Sequence, residues 1–325
     1  MSAHDRTRQG DNRPTYTPGA GLPLGVPIGS PADDASSQVS REFGGSREPN
    51  TSAAPLPEVP ATPRRTGARQ LAQLADRLSD RDRQVLRLVG EHRFLTTHQL
   101  QQFCFLDHQS LATASRVTRR VVSRLDRNGL LVALDRRVGG YRAGSAATIW
   151  RLSAAGRRLL GIDGKRGANA PSERFLKHCL AIGDVHVLLD QHRRIEAIEG
   201  VAVEVEPASW RRYQGAAGEP RWLQPDLYAE ITTTDFLDRH FIEVDLGTES
   251  LPTLLKKCQQ YEEYRRSGVE QARHGSFPLV VWLFLTEDRA RALAGAVRRS
   301  LKLTDAMFRY ATPSTLTQIL AGGTA

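Results

Sequence analysis

The chain has 325 residues, with 40% hydrophobic and 25% charged residues and a formal net charge of +9. That length is enough for two ordinary domains, and the balance is normal for globular protein. The charge is unevenly placed: the segment 79–160 holds fifteen Arg and six Asp or Glu, so it carries the whole positive excess and the remainder sums to zero. A basic segment of this kind attracts a polyanion, most simply nucleic acid. The longest strongly apolar run, 278–285, is too short to span a bilayer, and the polar N-terminus has no apolar signal core. A cytoplasmic protein with no membrane partner is expected. Cys104, Cys179 and Cys258 lie far apart with no Cys-x-x-Cys pair, so neither a zinc site nor a disulfide framework is expected, only core thiols.

Residues 1–63 contain ten of the seventeen prolines and lack periodic apolar residues. They cannot bury enough surface to offset ordering entropy, and a disordered tail is expected. Helical spacing begins near Arg69 with Leu71, Leu74 and Leu78. Ser79 with Asp82, and Thr96 with Gln99, each have the spacing of a capping box that starts a helix. A third helix runs from about Leu111 to Asn128 and stops at Gly129. Strands follow at 130–134 and 147–152, joined by a Gly- and Arg-rich segment, and a short helix at 154–160 closes the unit. Helix, helix, helix, strand, wing, strand is the order of a winged helix-turn-helix domain, expected over 69–160.

The third helix carries the DNA argument. At 100° per residue, Arg116, Arg120, Arg124 and Arg127 fall within about 80° of one another. Arg119 and Ser123 flank them, and Ala114, Val117, Val121 and Leu125 take the opposite side. Apolar contacts would hold such a helix while its arginines reach phosphates and guanine edges. Arg136, Arg137 and Arg142, beside Gly139 and Gly140, would extend the basic surface along a hairpin tip. The bland alternative is a solvated basic helix.

Residues 161–171 read as a linker. Beyond it the pattern predicts a helix at 172–194, strands at 201–206, 225–231 and 240–246, a helix from Pro252 to Arg266, a buried strand at 278–285 and a helix at 288–303. Residues 210–221 read as polar and turn-like. The second domain is thus expected over 172–304 as a mixed sheet between helices, with a C-terminal tail at 305–325. His178, His186 and His192 share a helix, but their spacing does not suit a two-His metal pair, so packed or exposed histidines are expected. Tyr261 and Tyr264, flanking Glu262-Glu263, read as packing residues of the Pro252–Arg266 helix, with a protein interface as the alternative. No phosphate-binding Gly-rich loop with its lysine appears.

Two stretches stand out: Gln224-Pro225-Asp226 at one strand's start, and Glu243-Val244-Asp245 in the next, followed by Gly247-Thr248-Glu249. Carboxylates on paired strands can hold Mg²⁺ or Mn²⁺, which favour oxygen ligands. Asp226, Glu243 and Asp245 are therefore the candidate metal ligands, against the alternative of ordinary surface and turn carboxylates. In motif and element order the segment resembles the PD-(D/E)xK nuclease superfamily, which implies Asp226 and Glu243 as its acidic pair. The motif's lysine position holds Asp245, and Lys256 or Lys257 on the following helix is the candidate replacement. The candidate catalytic set is thus Asp226, Glu243, Asp245 and Lys256.

The ordered chain, over about residues 75–290, more closely resembles the replication-relaxation family of plasmids and mobile elements. The residues that carry this are Leu78-Ser-Asp-Arg-Asp, Phe94-Leu-Thr-Thr-His-Gln-Leu, Arg124-Leu-Asp-Arg-Asn-Gly-Leu-Leu, Trp150-Arg-Leu-Ser-Ala-Ala-Gly, His178 through Asp184-Val, Pro225-Asp226 and Glu243-Val-Asp-Leu-Gly-Thr-Glu. The resemblance implies a DNA-associated accessory protein of replication, relaxation or transfer, with duplex DNA and a relaxase or replication initiator as partners. Fold does not fix function, so two rivals stand beside it. One is a metal-dependent nuclease, which the missing lysine disfavours; the other is a transcriptional regulator whose second domain makes a homodimer.

Overall fold

The computed structural model describes residues 67–134, 148–162, 171–194 and 198–320, all within one compact unit. The expected tail at 1–63, the arginines Arg136, Arg137 and Arg142, and most of the expected linker lie outside the described residues.

The chain opens with α1 (Ala68–Asp76), α2 (Asp80–His92), β1 (Leu95–Thr96), α3 (Thr97–Cys104) and α4 (Leu111–Arg127). Both expected capping boxes form: Ser79 and Asp82 exchange side-chain-to-backbone bonds at the start of α2, as do Thr96 and Gln99 at the start of α3. These satisfy N–H groups that a helix start leaves without intrahelical partners. Gly129, at φ +70°, ends α4 in the left-handed region that a residue with Cβ rarely adopts. β2 (Leu131–Ala133), β3 (Ile149–Leu152) and α5 (Ala154–Leu159) follow. β3 lies between β1 and β2, antiparallel to both. The two-residue strand β1 is too short to show a periodic sequence signal. A Cβ on Gly156 would stand 2.2 Å from the Leu130 carbonyl oxygen, so only glycine lets α5 approach β2 this closely.

The core around α2–α4 is built from Val85, Leu86, Val89, Leu100, Phe103 and Leu125, among others. The buried stripe of α4 is Ala114, Thr118, Val122 and Leu125. Val117 and Val121, expected at its centre, are only partly buried against it. Thr118 takes the inner place because its hydroxyl donates to the Ala114 carbonyl at 2.7 Å, so burial strands no polar group.

The second half begins with α6 (Glu173–Arg194). It continues through β4 (Gly200–Val205), β5 (Arg211–Gln214), β6 (Pro220–Leu223), β7 (Leu227–Thr232), β8 (Leu237–Asp245), α7 (Leu251–Ser267), α8 (Val269–His274), β9 (Leu279–Phe284), α9 (Glu287–Arg298), β10 (Phe308–Ala311) and α10 (Leu316–Leu320). The main sheet has the order β10-β9-β8-β7-β4, with β8, β9 and β10 parallel and β7 antiparallel to both neighbours. It is a mixed α/β sheet with helices packed on both faces. β9, the apolar run, lies between the edge strand β10 and the central strand β8, flanked on both sides as such a strand requires.

Two expectations are corrected. Residues 211–223 form the antiparallel ribbon β5–β6 rather than a plain turn. Residues 308–320, expected as tail, supply the edge strand β10 and the helix α10, whose Leu316, Ile319 and Leu320 join the core. Among the described residues no helix is long and apolar enough to cross a membrane.

Candidate functional site

β7 pairs with β8 so that Leu227 faces Ile242. Continuing that antiparallel register by one step sets Asp226 opposite Glu243. Both are buried, at 6% and 1% exposure. Asp226 accepts a bond from the Val244 N–H at 2.8 Å, and its other oxygen is 3.1 Å from His178 Nε2 on α6. Glu243 accepts from Lys257 and from the Tyr261 hydroxyl, both on α7. The four groups Asp226, Glu243, Lys257 and His178 line one cleft of about 310 Å³, whose rim includes Arg174 and Phe175.

Burial raises the cost of charge on every group here, and neighbours decide which stay charged. For Asp226, burial opposes ionisation, but Lys257, His178 and the Val244 N–H outweigh it and bring the carboxyl down to about 2. Burial dominates at Glu243 and, against the pull of Lys257, pushes it up to about 8. Lys257 is raised above the ordinary lysine value: burial works against its charge, but Glu243 and Asp226 more than compensate. His178 is likewise raised, its desolvation outweighed by Asp226. Burial drives the Tyr261 hydroxyl well above its ordinary value, so it stays a hydrogen-bond donor to Glu243.

The three carboxylates expected as metal ligands are each engaged by protein groups. Among the described residues no group of three or more His, Cys, Asp or Glu side chains is arranged to hold a metal ion. Asp245 lines the cleft, but its carboxylate is tied to Arg289 on α9 and to the Gly247 N–H. The four oxygens of Asp226 and Glu243 each meet a protein group already. These residues do not fit a preformed Mg²⁺ or Mn²⁺ site; Lys257 supplies the compensating charge instead. Lys256 is exposed on α7, about 100° around the helix from Lys257. Of the two lysines weighed, Lys257 is the one at the carboxylates. Its signal was readable in sequence: it stands beside the stripe Leu254, Cys258 and Tyr261, all buried. His178 and Arg289 gave no such signal, because each reaches its partner across a tertiary contact.

The second candidate surface is the outer face of α4. Arg116, Arg119, Arg120, Ser123, Arg124 and Arg127 are all exposed there. Arg124 is committed to the buried Asp82 carboxylate at 2.5 Å, and Arg119 Nε donates to the Ser115 carbonyl of its own helix. Arg116, Arg120 and Arg127 make no ion pair among the described residues.

A family model described as replication-relaxation matches residues 86–280, more than half of the chain. The chain belongs to the replication-relaxation family. No curated protein and no solved structure matches it. The matched span runs from α2 into β9, and so takes in the arginine face of α4 together with Asp226, Glu243 and Lys257.

In this replication-relaxation protein, α6 ties the two surfaces together. Its Val187 enters the core around α2–α4, while Ile182, Val185 and Leu189 enter the core of the main sheet. Gln99 Nε2 on α3 donates to the Leu180 carbonyl and to Asp184, both at 2.7 Å. A Cβ on Gly183 would come within 2.9 Å of that amide nitrogen. His186 is 2.9 Å from His92 on α2, and burial lowers the two rings to about 4 and about 3, so both are neutral at ordinary pH. Arg93 reaches Glu206 at 2.9 Å. The helix bearing His178 is therefore also the helix that seats α2 and α3.

Proposed function

We propose that this replication-relaxation protein is a DNA-binding accessory of plasmid or mobile-element replication, relaxation or transfer. It docks on duplex DNA through α4, the recognition helix of a winged helix formed by α2–α4, β2 and β3. The observation that carries this reading is the α4 face: six exposed residues, five of them Arg, on a helix held from behind by a buried stripe. Guanidinium groups without carboxylate partners are free to neutralise phosphates and to release their counterions. In chain order the segment 135–147 falls between β2 and β3, the position of the wing in a winged helix, and its Arg136, Arg137 and Arg142 would add backbone contacts. The cleft around Asp226 then faces structured DNA or a partner such as a relaxase or replication initiator.

One observation favours a second reading, a phosphodiesterase of the PD-(D/E)xK type. Lys257 stands at Glu243 with Asp226 beside it, so the ammonium missing from position 245 is supplied from α7. The charge-balanced cluster and the lack of a three-ligand set among the described residues weigh toward binding.

One set of gels tests both. The full chain is incubated with supercoiled, nicked and single-stranded plasmid, with and without Mg²⁺ or Mn²⁺. The expected result is retardation of duplex without new nicks, retained in Asp226→Asn and lost when Arg116, Arg120 and Arg127 are changed to Ala. Metal-dependent cleavage that disappears in both Asp226→Asn and Lys257→Met would replace this reading with the nuclease.

A further inference from the structure

The ribbon β5–β6 has one anchored face and one bare face. On the inner face Arg211 is buried, bonded to Glu204 at 2.8 Å and to Glu270 at 3.0 Å, with its guanidinium 4.5 Å from the centre of the Tyr228 ring. Tyr213 and Leu223 are buried beside it, and Tyr213 packs on Tyr264 of α7. Alternation along a strand then forces the intervening residues outward. These are Arg212, Gln214, Pro220 and Trp222, all exposed. Arg212 lies directly opposite Trp222 in the ribbon register, so the two side chains share one patch.

Trp222 is 53% exposed, whereas Trp150 and Trp282 are buried and Trp210 is half-buried. Arg212 makes no ion pair among the described residues, and no carboxylate stands on this face of either strand. An exposed indole on a ribbon anchored from behind, beside a guanidinium with no ion pair among the described residues, suits a ligand with an aromatic face and a negative backbone. Position agrees with that chemistry: four residues after Trp222 comes Asp226, a reach of at most about 14 Å along the chain.

We propose that the outer face of β5–β6 binds single-stranded DNA, with a base stacked on Trp222 and the adjoining phosphate paired to Arg212. The strand so held would lead into the cleft that begins at Asp226. This rests on the reading of the chain as a DNA-binding protein, but uses a surface separate from α4. Base stacking on an aromatic side chain tolerates any sequence, because every base has a π face. Duplex docking on α4 and an unpaired strand on the ribbon would together select DNA that is partly opened.

The full chain is titrated with labelled oligo(dT) and, separately, with duplex of equal length, reading anisotropy and tryptophan emission. Oligo(dT) should quench the solvent-exposed part of the emission, which comes mainly from Trp222. Trp222→Ala should weaken oligo(dT) binding by roughly tenfold and leave duplex binding unchanged, while Trp222→Phe should keep most of the affinity. Arg212→Ala should weaken it too and flatten its salt dependence by about 0.7 in log–log slope. Oligo(dT) affinity unmoved in Trp222→Ala overturns the proposal. So does a change of sedimentation in that variant with oligonucleotide binding intact, which would make the face a contact between copies of the chain. Wild type that binds duplex but not oligo(dT) removes the ribbon site alone; wild type that binds neither removes the DNA-binding reading as well.

Discussion

Gln99→Ala probes how firmly the two halves are joined. The side chain is 2% exposed and serves both halves. Its carbonyl accepts from the Thr96 N–H at 2.9 Å to complete the α3 capping box, and its amide donates at 2.7 Å to both the Leu180 carbonyl and Asp184 on α6. Alanine removes these three bonds, with a longer one from the Thr96 hydroxyl at 3.2 Å, and keeps the helix. A buried neutral hydrogen bond contributes about 0.5–1.5 kcal/mol and one to a charged group about 1.5–3 kcal/mol. The sum is roughly 2.5–6 kcal/mol, which for a chain of this size lowers the melting temperature by roughly 5–20 °C. The assay is thermal unfolding by calorimetry together with urea titration. Wild type should melt in one transition covering both cores, and the variant should melt early or separate into two transitions. A loss below about 1 kcal/mol with the single transition intact would refute the claim that this seam joins the halves. Gly183→Ala should act on the same seam by overpacking, at about 1–3 kcal/mol.

The Asp226–His178 pair sets a pH signature. Asp226, at about 2 in the folded chain, contributes stability that is complete above its unfolded value of 3.8 and lost as pH falls through about 2. His178, raised above 6.5, contributes stability complete below 6.5 and lost as pH rises through its folded value. Asp226→Asn should therefore be most destabilised relative to wild type between about pH 4 and 6.5. Burial, and behind it the Asp226 charge, push Glu243 up, so the neutral residue relieves Glu243 and should narrow the gap toward pH 8. Urea melts across that range check the shape; a gap independent of pH would contradict it. Cys104 and Cys258 are pushed up to about 12 by burial and Cys179 is buried. A thiol reagent at pH 8 should label them only on unfolding, and fast labelling of the folded chain would show that these sites open.

What was legible in the sequence follows from range. Ser79-Asp82 and Thr96-Gln99 were readable because a capping box closes within one turn, and both form. The arginine comb of α4 was readable because helical periodicity alone separates it from the buried stripe. The Asp226–Glu243 juxtaposition was readable because β7 and β8 form a hairpin, whose pairing is local. β10 was not, since four residues at a sheet edge owe their conformation to β9 rather than to their own pattern. β5–β6 was missed because Arg211, polar and buried, breaks the apolar alternation that marks a strand; its partners Glu204 and Glu270 are set by the fold. The partner of Asp245 was not legible either, since Arg289 stands 44 residues on.

The most direct test of the central claim is duplex affinity of the full chain as a function of salt, in wild type and in a variant with Arg116, Arg120 and Arg127 changed to Ala. Those side chains are exposed and make no ion pair among the described residues, so fold and melting temperature should hold. Each lost phosphate contact should reduce the slope of log K against log salt by about 0.9, for a total near 2.7 if all three touch phosphate, along with a large loss of affinity at low salt. A folded variant with wild-type affinity and slope would contradict the assignment of α4 as the DNA-docking helix.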